Sequence, residues 1–265
     1  MNIKRILSCF LIVLPVCVAA RFFQIIKTID FANGFFIPSE EILGYLLLLV
    51  MLLACVIMTV ISLGGKESFE TAPKTNLLLG VSSGFVASRL FVELFGEVMS
   101  FAMPPWHVLI VKFVTVFTAI YFSVLFLQSL LKFKIPPMLH IIPAIYAVVK
   151  TIFTFINISA LSIISDNVLL MASYCVLMIF FINYARLYNN IDAKKAGKKV
   201  VCYGFIAATL CITCSLPTII INLFSETDYL HSNISVGNTL LTIGCFIVVF
   251  VCEYFYNWYK KEEHI

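Results

Sequence analysis

Eight long apolar runs, separated by short polar breaks, occupy nearly the whole chain. The pattern predicts helices over 6 to 27, 41 to 63, 75 to 98, 107 to 130, 138 to 160, 167 to 187, 200 to 223 and 236 to 257. Each run approaches the roughly 20 residues that an α-helix needs to cross about 30 Å of hydrocarbon. A backbone in lipid must satisfy its own polar groups, so these runs read as helices rather than open strands. The expected fold is an all-α, polytopic transmembrane helix bundle. No polar interval is long enough for a separate core, so residues 1–265 form one integral membrane domain.

Composition points the same way. Hydrophobic residues make up 62% of the chain and charged residues 12%, with a mean hydropathy of +1.04. Soluble domains carry about twice that charged fraction, so a water-soluble class is excluded.

The basic residues orient the bundle. If the N-terminus is cytoplasmic, the inner segments collect Lys4, Arg5, Lys66, Lys74, Lys132, Lys134, Arg186, Lys194, Lys195, Lys198, Lys199, Lys260 and Lys261. The outer loops then hold little beyond Lys27. Lysine and arginine resist translocation, so both termini are expected in the cytoplasm, with the bundle in the cell membrane. Trp106 at an outer entrance, and Tyr254, Tyr256, Trp258 and Tyr259 around the last inner exit, read as interfacial anchors. Lys4, Arg5 and the run ending Val18-Ala19-Ala20 also fit a secretory signal. Phe22, Phe23, Ile25 and Ile26 extend that run to spanning length, which favours a retained first helix.

In the first outer loop, Asn33-Gly34 signals a tight turn between aromatic residues. Arg21-Phe22-Phe23-Gln24, followed by Asp30 and Gly34-Phe35-Phe36, resembles short multi-pass proteins of clostridial-type bacteria for which no activity is known. The resemblance covers only the first helix and this loop. It implies a multi-pass membrane protein and no particular chemistry.

Motifs for chemistry are weak. Gly80-Val81-Ser82-Ser83-Gly84 matches the G-x-S-x-G pattern of serine hydrolases, but it lies in a continuous apolar run rather than at a strand-to-helix turn. Gly80 and Gly84 read better as a small-residue face for helix packing. An intramembrane hydrolase pairing Ser82 with His140 is the enzymatic alternative, with Ser82 about 8 Å deeper than the histidine. The other histidines lack metal-ligand spacing, and Gly64-Gly65-Lys66 lacks the rest of a phosphate loop, so no cofactor is expected. The nine cysteines all fall within predicted spans, which argues against a disulfide framework. Cys211 and Cys214 form a C-x-x-C inside an apolar helix and read as packing residues. Lys194-Lys195-Ala196-Gly197-Lys198-Lys199 reads as an inner loop that anchors topology and offers a dock for anionic lipid or an acidic partner protein. Without stacking aromatics it does not indicate nucleic acid.

The strongest clue is charge inside the spans: Arg21, Arg89, Glu93, Lys112 and Lys150. A cation at mid-bilayer costs roughly 2.5 to 3.5 kcal/mol, so these side chains are expected to face protein or water. By helical rise, Glu93 and Lys112 lie about 8 Å below the outer boundary and Arg21 about 9 Å, so these three are expected within reach of one another. Arg89 and Lys150 lie at about 14 to 15 Å, without an acid at their own level. Arg89, Glu93 and Glu97 repeat every four residues, and Gly80, Gly84 and Ser88 form a second face, which places the third helix near the bundle centre. In the fifth helix Pro143, Lys150, Thr154 and Asn157 share a sector, and Pro143 is expected to free a carbonyl toward a cavity.

The expected site is an outward-opening cavity with surplus positive charge that binds a small anionic or carboxylate-bearing ligand. Arg89 and Lys150 are its deepest contacts, Glu93 orients Arg89, and Arg21, Lys112 and Asn157 complete the set. A transporter or permease for a small polar solute is the leading expectation. The alternatives are a membrane-embedded receptor or signalling component, and a noncatalytic subunit of a membrane complex.

Overall fold

The computed structural model describes residues 3–30, 36–63, 76–98, 106–131, 133–160, 164–224 and 234–262. The helices are α1 (Ile3–Thr28), α2 (Glu41–Leu63), α3 (Leu77–Val98), α4 (Trp106–Leu131), α5 (Ile142–Ala160), α6 (Ile164–Tyr188), α7 (Ala193–Phe224) and α8 (Ile234–Glu262). All eight are long and apolar enough to cross a membrane. The chain is an all-helical, multi-pass integral membrane protein, and each apolar run lies within one helix apart from a few residues at the ends.

The helices α3 to α8 pack each against the next, and α8 returns to α3, closing a ring of six. Outside this ring α1 and α2 pack on each other and on α7. The helix touched from most sides is therefore α7, not α3 as the glycine and charge pattern suggested. Its composition explains this: Ala196, Gly197, Gly204, Ala207, Ala208 and Cys211 are all buried, so the helix is small and apolar around its whole circumference. A Cβ at Gly204 would lie 2.7 Å from Val251 of α8 and 3.2 Å from Phe180 of α6, so bare backbone lets both neighbours approach. The small-residue face of α3 has a more local use. Gly80 sits against Ser129 and Gly84 against the Phe126 ring, both on α4.

Three further expectations are corrected by local geometry. The lysine-rich segment 194–199 is not a loop but the opening of α7, which at 32 residues is about 48 Å long and overreaches roughly 30 Å of hydrocarbon. The connection before it is a tight turn in which Asn190 and Asp192 adopt φ of 55° and 49°, a region that Asn and Asp tolerate. Pro143 occupies the first turn of α5, directly after a 3-10 turn at Pro137–Ile141, where a missing N–H costs little and no carbonyl is freed toward a cavity. Tyr254 is buried and stacks on Phe250 at 6.2 Å instead of anchoring the interface, whereas Trp106 and Tyr256 are exposed. The side chains of Trp258 and Tyr259 lie outside the described residues.

In the first loop, Ile29 and Phe36 form an antiparallel bridge and Ile37 N–H donates to the Thr28 carbonyl. Asn33-Gly34 itself lies outside the described residues.

Candidate functional site

The six-helix ring is filled mainly by aromatic rings. Phe122 of α4 meets Phe181 of α6 and Phe246 of α8, and Tyr184 of α6 meets Phe250 of α8. Against this apolar filling one charged group of contacts stands out. Lys150 Nζ of α5 lies 2.5 Å from Glu93 Oε1 of α3, and the other carboxylate oxygen accepts a hydrogen bond from the Thr239 hydroxyl of α8 at 2.8 Å. Three helices thus converge on one carboxylate. The side chains of Lys150 and Glu93 are only 9% and 6% exposed, so the pair is almost sealed from solvent.

The surroundings remain polarisable. Lys150 Nζ stands 5.7 Å from the centre of the Tyr146 ring, within cation–π range. Glu93 is close enough to act electrostatically on the hydroxyls of Tyr146 and of Tyr174 from α6. Thr154, one turn beyond Lys150, is also buried.

The geometry redraws the expected ligand set. Glu93 does not orient Arg89: its oxygens accept from Lys150 and Thr239, and among the described residues it makes no hydrogen bond or ion pair with Arg89. Arg89 of α3 is half-buried, and its Nε has no hydrogen-bond partner among the described residues. Arg21 is fully buried but stands on α1, outside the ring, so it does not join Glu93 and Lys112. Its guanidinium donates to Gln24 Oε1, and Gln24 Nε2 donates to the Gly44 carbonyl, tying α1 to α2. Lys112 is half-buried near the start of α4. The side chains of Asn157 and Glu97 lie outside the described residues.

A second polar cluster went unnoticed in the sequence. At the opposite end of the ring the Tyr121 hydroxyl contacts His140 Nδ1 at 2.6 Å and the Tyr184 hydroxyl at 3.0 Å. His140 also stacks on Tyr188 at 4.1 Å, and Asn189 Nδ2 donates to the Pro137 carbonyl, fixing the 3-10 turn that carries the histidine. Tyr184 and Tyr188 at i and i+4 were the available signal, since that spacing puts both on one face. Ser82 is not part of this cluster; its hydroxyl donates to the Leu79 carbonyl of its own helix.

Other chemistry finds less support. Among the described residues no group of His, Cys, Asp and Glu comes together as a metal centre would require. All nine cysteines are free thiols. A groove of about 660 Å³ between α3 and α4, lined by Gly84, Phe85, Ser88, Ser123 and Phe126, opens on the outer surface of the bundle and is apolar. It lies away from the ion pair.

No family model matches the chain, and neither a curated protein nor a solved structure does.

Proposed function

We propose that this chain is a permease-type protein for a small carboxylate-bearing solute, with Lys150 as the solute contact and Glu93 as the group that holds Lys150 in the solute-free, closed ring. The observation that carries this reading is the buried pair itself. Replacing such a pair by well-packed apolar side chains is often neutral or stabilising, so stability alone gives little reason to keep it. Ionisable groups inside membrane bundles mark solute and ion pathways. A solute carboxylate competes with Glu93 for the ammonium of Lys150.

The test uses the full chain in lipid vesicles with radiolabelled lactate, succinate and glutamate. Protein-dependent uptake of at least one, lost in Lys150→Met, is expected. Uptake of none of the three, or uptake indifferent to Lys150→Met, overturns the reading.

A second reading rests on the first two turns of α7. Lys194, Lys195 and Lys199 are exposed there while Ala196 and Gly197 between them are buried, so a rigid basic surface stands at one end of the central helix. A receptor or subunit that passes movement of α7 to an acidic partner would use this surface. Co-purification of a stoichiometric partner, lost on replacing these lysines with glutamine, favours it.

A further inference from the structure

We infer that the solute crosses together with a proton carried on Glu93, so that the permease proposed above is a proton symporter, electroneutral for a monovalent carboxylate. The inference rests on that reading and on charge balance within the ring. In the closed state Glu93 and Lys150 cancel. When a monovalent anion takes Lys150, the Lys150–anion pair is neutral and Glu93 is left as a carboxylate in an aromatic interior, with one remaining hydrogen bond from Thr239. A buried, uncompensated carboxylate is strongly disfavoured and takes up a proton instead.

Among the described residues, the groups around Glu93 provide no other compensation. From α5 it faces Lys150 and Tyr146, from α6 Tyr174, and from α8 Thr239; Cys211 of α7 is near the same two tyrosines. On its own helix the nearest cation is Arg89, one turn away, half-buried and without a hydrogen bond or ion pair to Glu93 among the described residues, and the cation of α4 is the half-buried Lys112. The Thr239 hydroxyl stabilises the charge by hydrogen bonding, but neither it nor the neutral tyrosines cancel it. The proton enters from the side on which the solute binds, forms an O–H bond at a Glu93 oxygen, and leaves to the other side when Lys150 returns. A protonated Glu93 gains a donor and can hydrogen-bond the solute or Thr239, whereas the ionised form only accepts.

Titration calorimetry on the full-length protein, in two buffers of different ionisation enthalpy, counts protons taken up per anion bound. The probes are potassium lactate, succinate and glutamate at matched pH. The wild type is expected to take up about one proton per anion, and Glu93→Gln is expected to bind with none. Independently of any variant, the apparent affinity of the wild type should weaken by up to about tenfold per pH unit, as one-proton linkage requires. Binding without proton uptake, or equal uptake in Glu93→Gln, overturns the symport inference and leaves the permease reading standing. Binding of none of the three overturns both.

Discussion

Lys150 and Glu93 touch at 2.5 Å although α4 stands between their helices in the ring, so the contact crosses the interior instead of running along one helix pair. A side chain reaching past a neighbouring helix to find its counter-charge brings α3 and α5 into one electrostatic unit, and Thr239 adds α8. That contact is therefore a tie shared by three of the six ring helices. This is the physical basis for treating the pair as a switch instead of a local clip.

Breaking one half of the pair should be costly. Lys150→Met or Glu93→Leu alone leaves a buried charge without its partner and is expected to destabilise the bundle by roughly 3 to 5 kcal/mol. Thermal unfolding in detergent reads this as a large drop in melting temperature. Melting temperatures unchanged from wild type in both variants would mean the pair is solvated.

Close helix approach at Gly204 makes a separate prediction. Gly204→Ala pushes a methyl into Val251 and Phe180 between three packed helices and is expected to cost about 1 to 3 kcal/mol. Gly84→Ala meets only the Phe126 ring at 3.3 Å, on the groove-bearing side of α3, and is expected to cost less. The same unfolding assay should rank the two variants in that order; the reverse order would contradict α7 as the central helix.

At the other end of the ring, Tyr121→Phe removes the hydroxyl shared by His140 and Tyr184. Two buried polar atoms lose a partner, and a loss of about 1 to 3 kcal/mol is expected. Coupling should show in a double-mutant cycle with His140→Phe, in which the two losses are less than additive. Strict additivity would mean that the hydroxyl and the imidazole act separately.

The opening turns of α7 test orientation. A cysteine at Lys195 should react with a membrane-impermeant maleimide in inverted vesicles and not in intact cells, above the background of the native cysteines. Ala196→Cys, buried in the bundle, should be protected on both sides. Labelling of Lys195→Cys in intact cells would contradict the expectation from the basic residues that both termini are cytoplasmic.

Much of the architecture was legible in the sequence because hydrocarbon thickness dictates helix length, and eight apolar runs of that length leave few alternatives. The start of α7 was not, because Lys194 to Lys199 are compatible with helix by propensity yet look like a polar break by hydropathy. The centre of the bundle was also misplaced. A stripe of glycine on α3 marks one close contact, whereas α7 shows the stronger signal of small, apolar residues on every side.

The pairing of Lys150 with Glu93 was hidden by a different error. By helical rise their backbones differ in depth by about 7 Å, which made them appear to lie on separate levels. A lysine stem covers most of that distance, so depth must be reckoned at the charged atom and not at the Cα. Arg21 was misread for the converse reason: its depth suited the site, but α1 packs outside the ring. Depth alone does not say which side of a neighbouring helix a residue faces.

The most direct measurement is to replace both partners at once. The Glu93→Leu, Lys150→Met double variant removes the pair without orphaning a charge, so it should fold with a melting temperature at or above that of the wild type. In vesicles the same variant is expected to show no uptake of lactate, succinate or glutamate under conditions where the wild type transports at least one. A stable double variant that still takes up the wild-type solute at the wild-type rate would contradict the claim that this ion pair is kept for function.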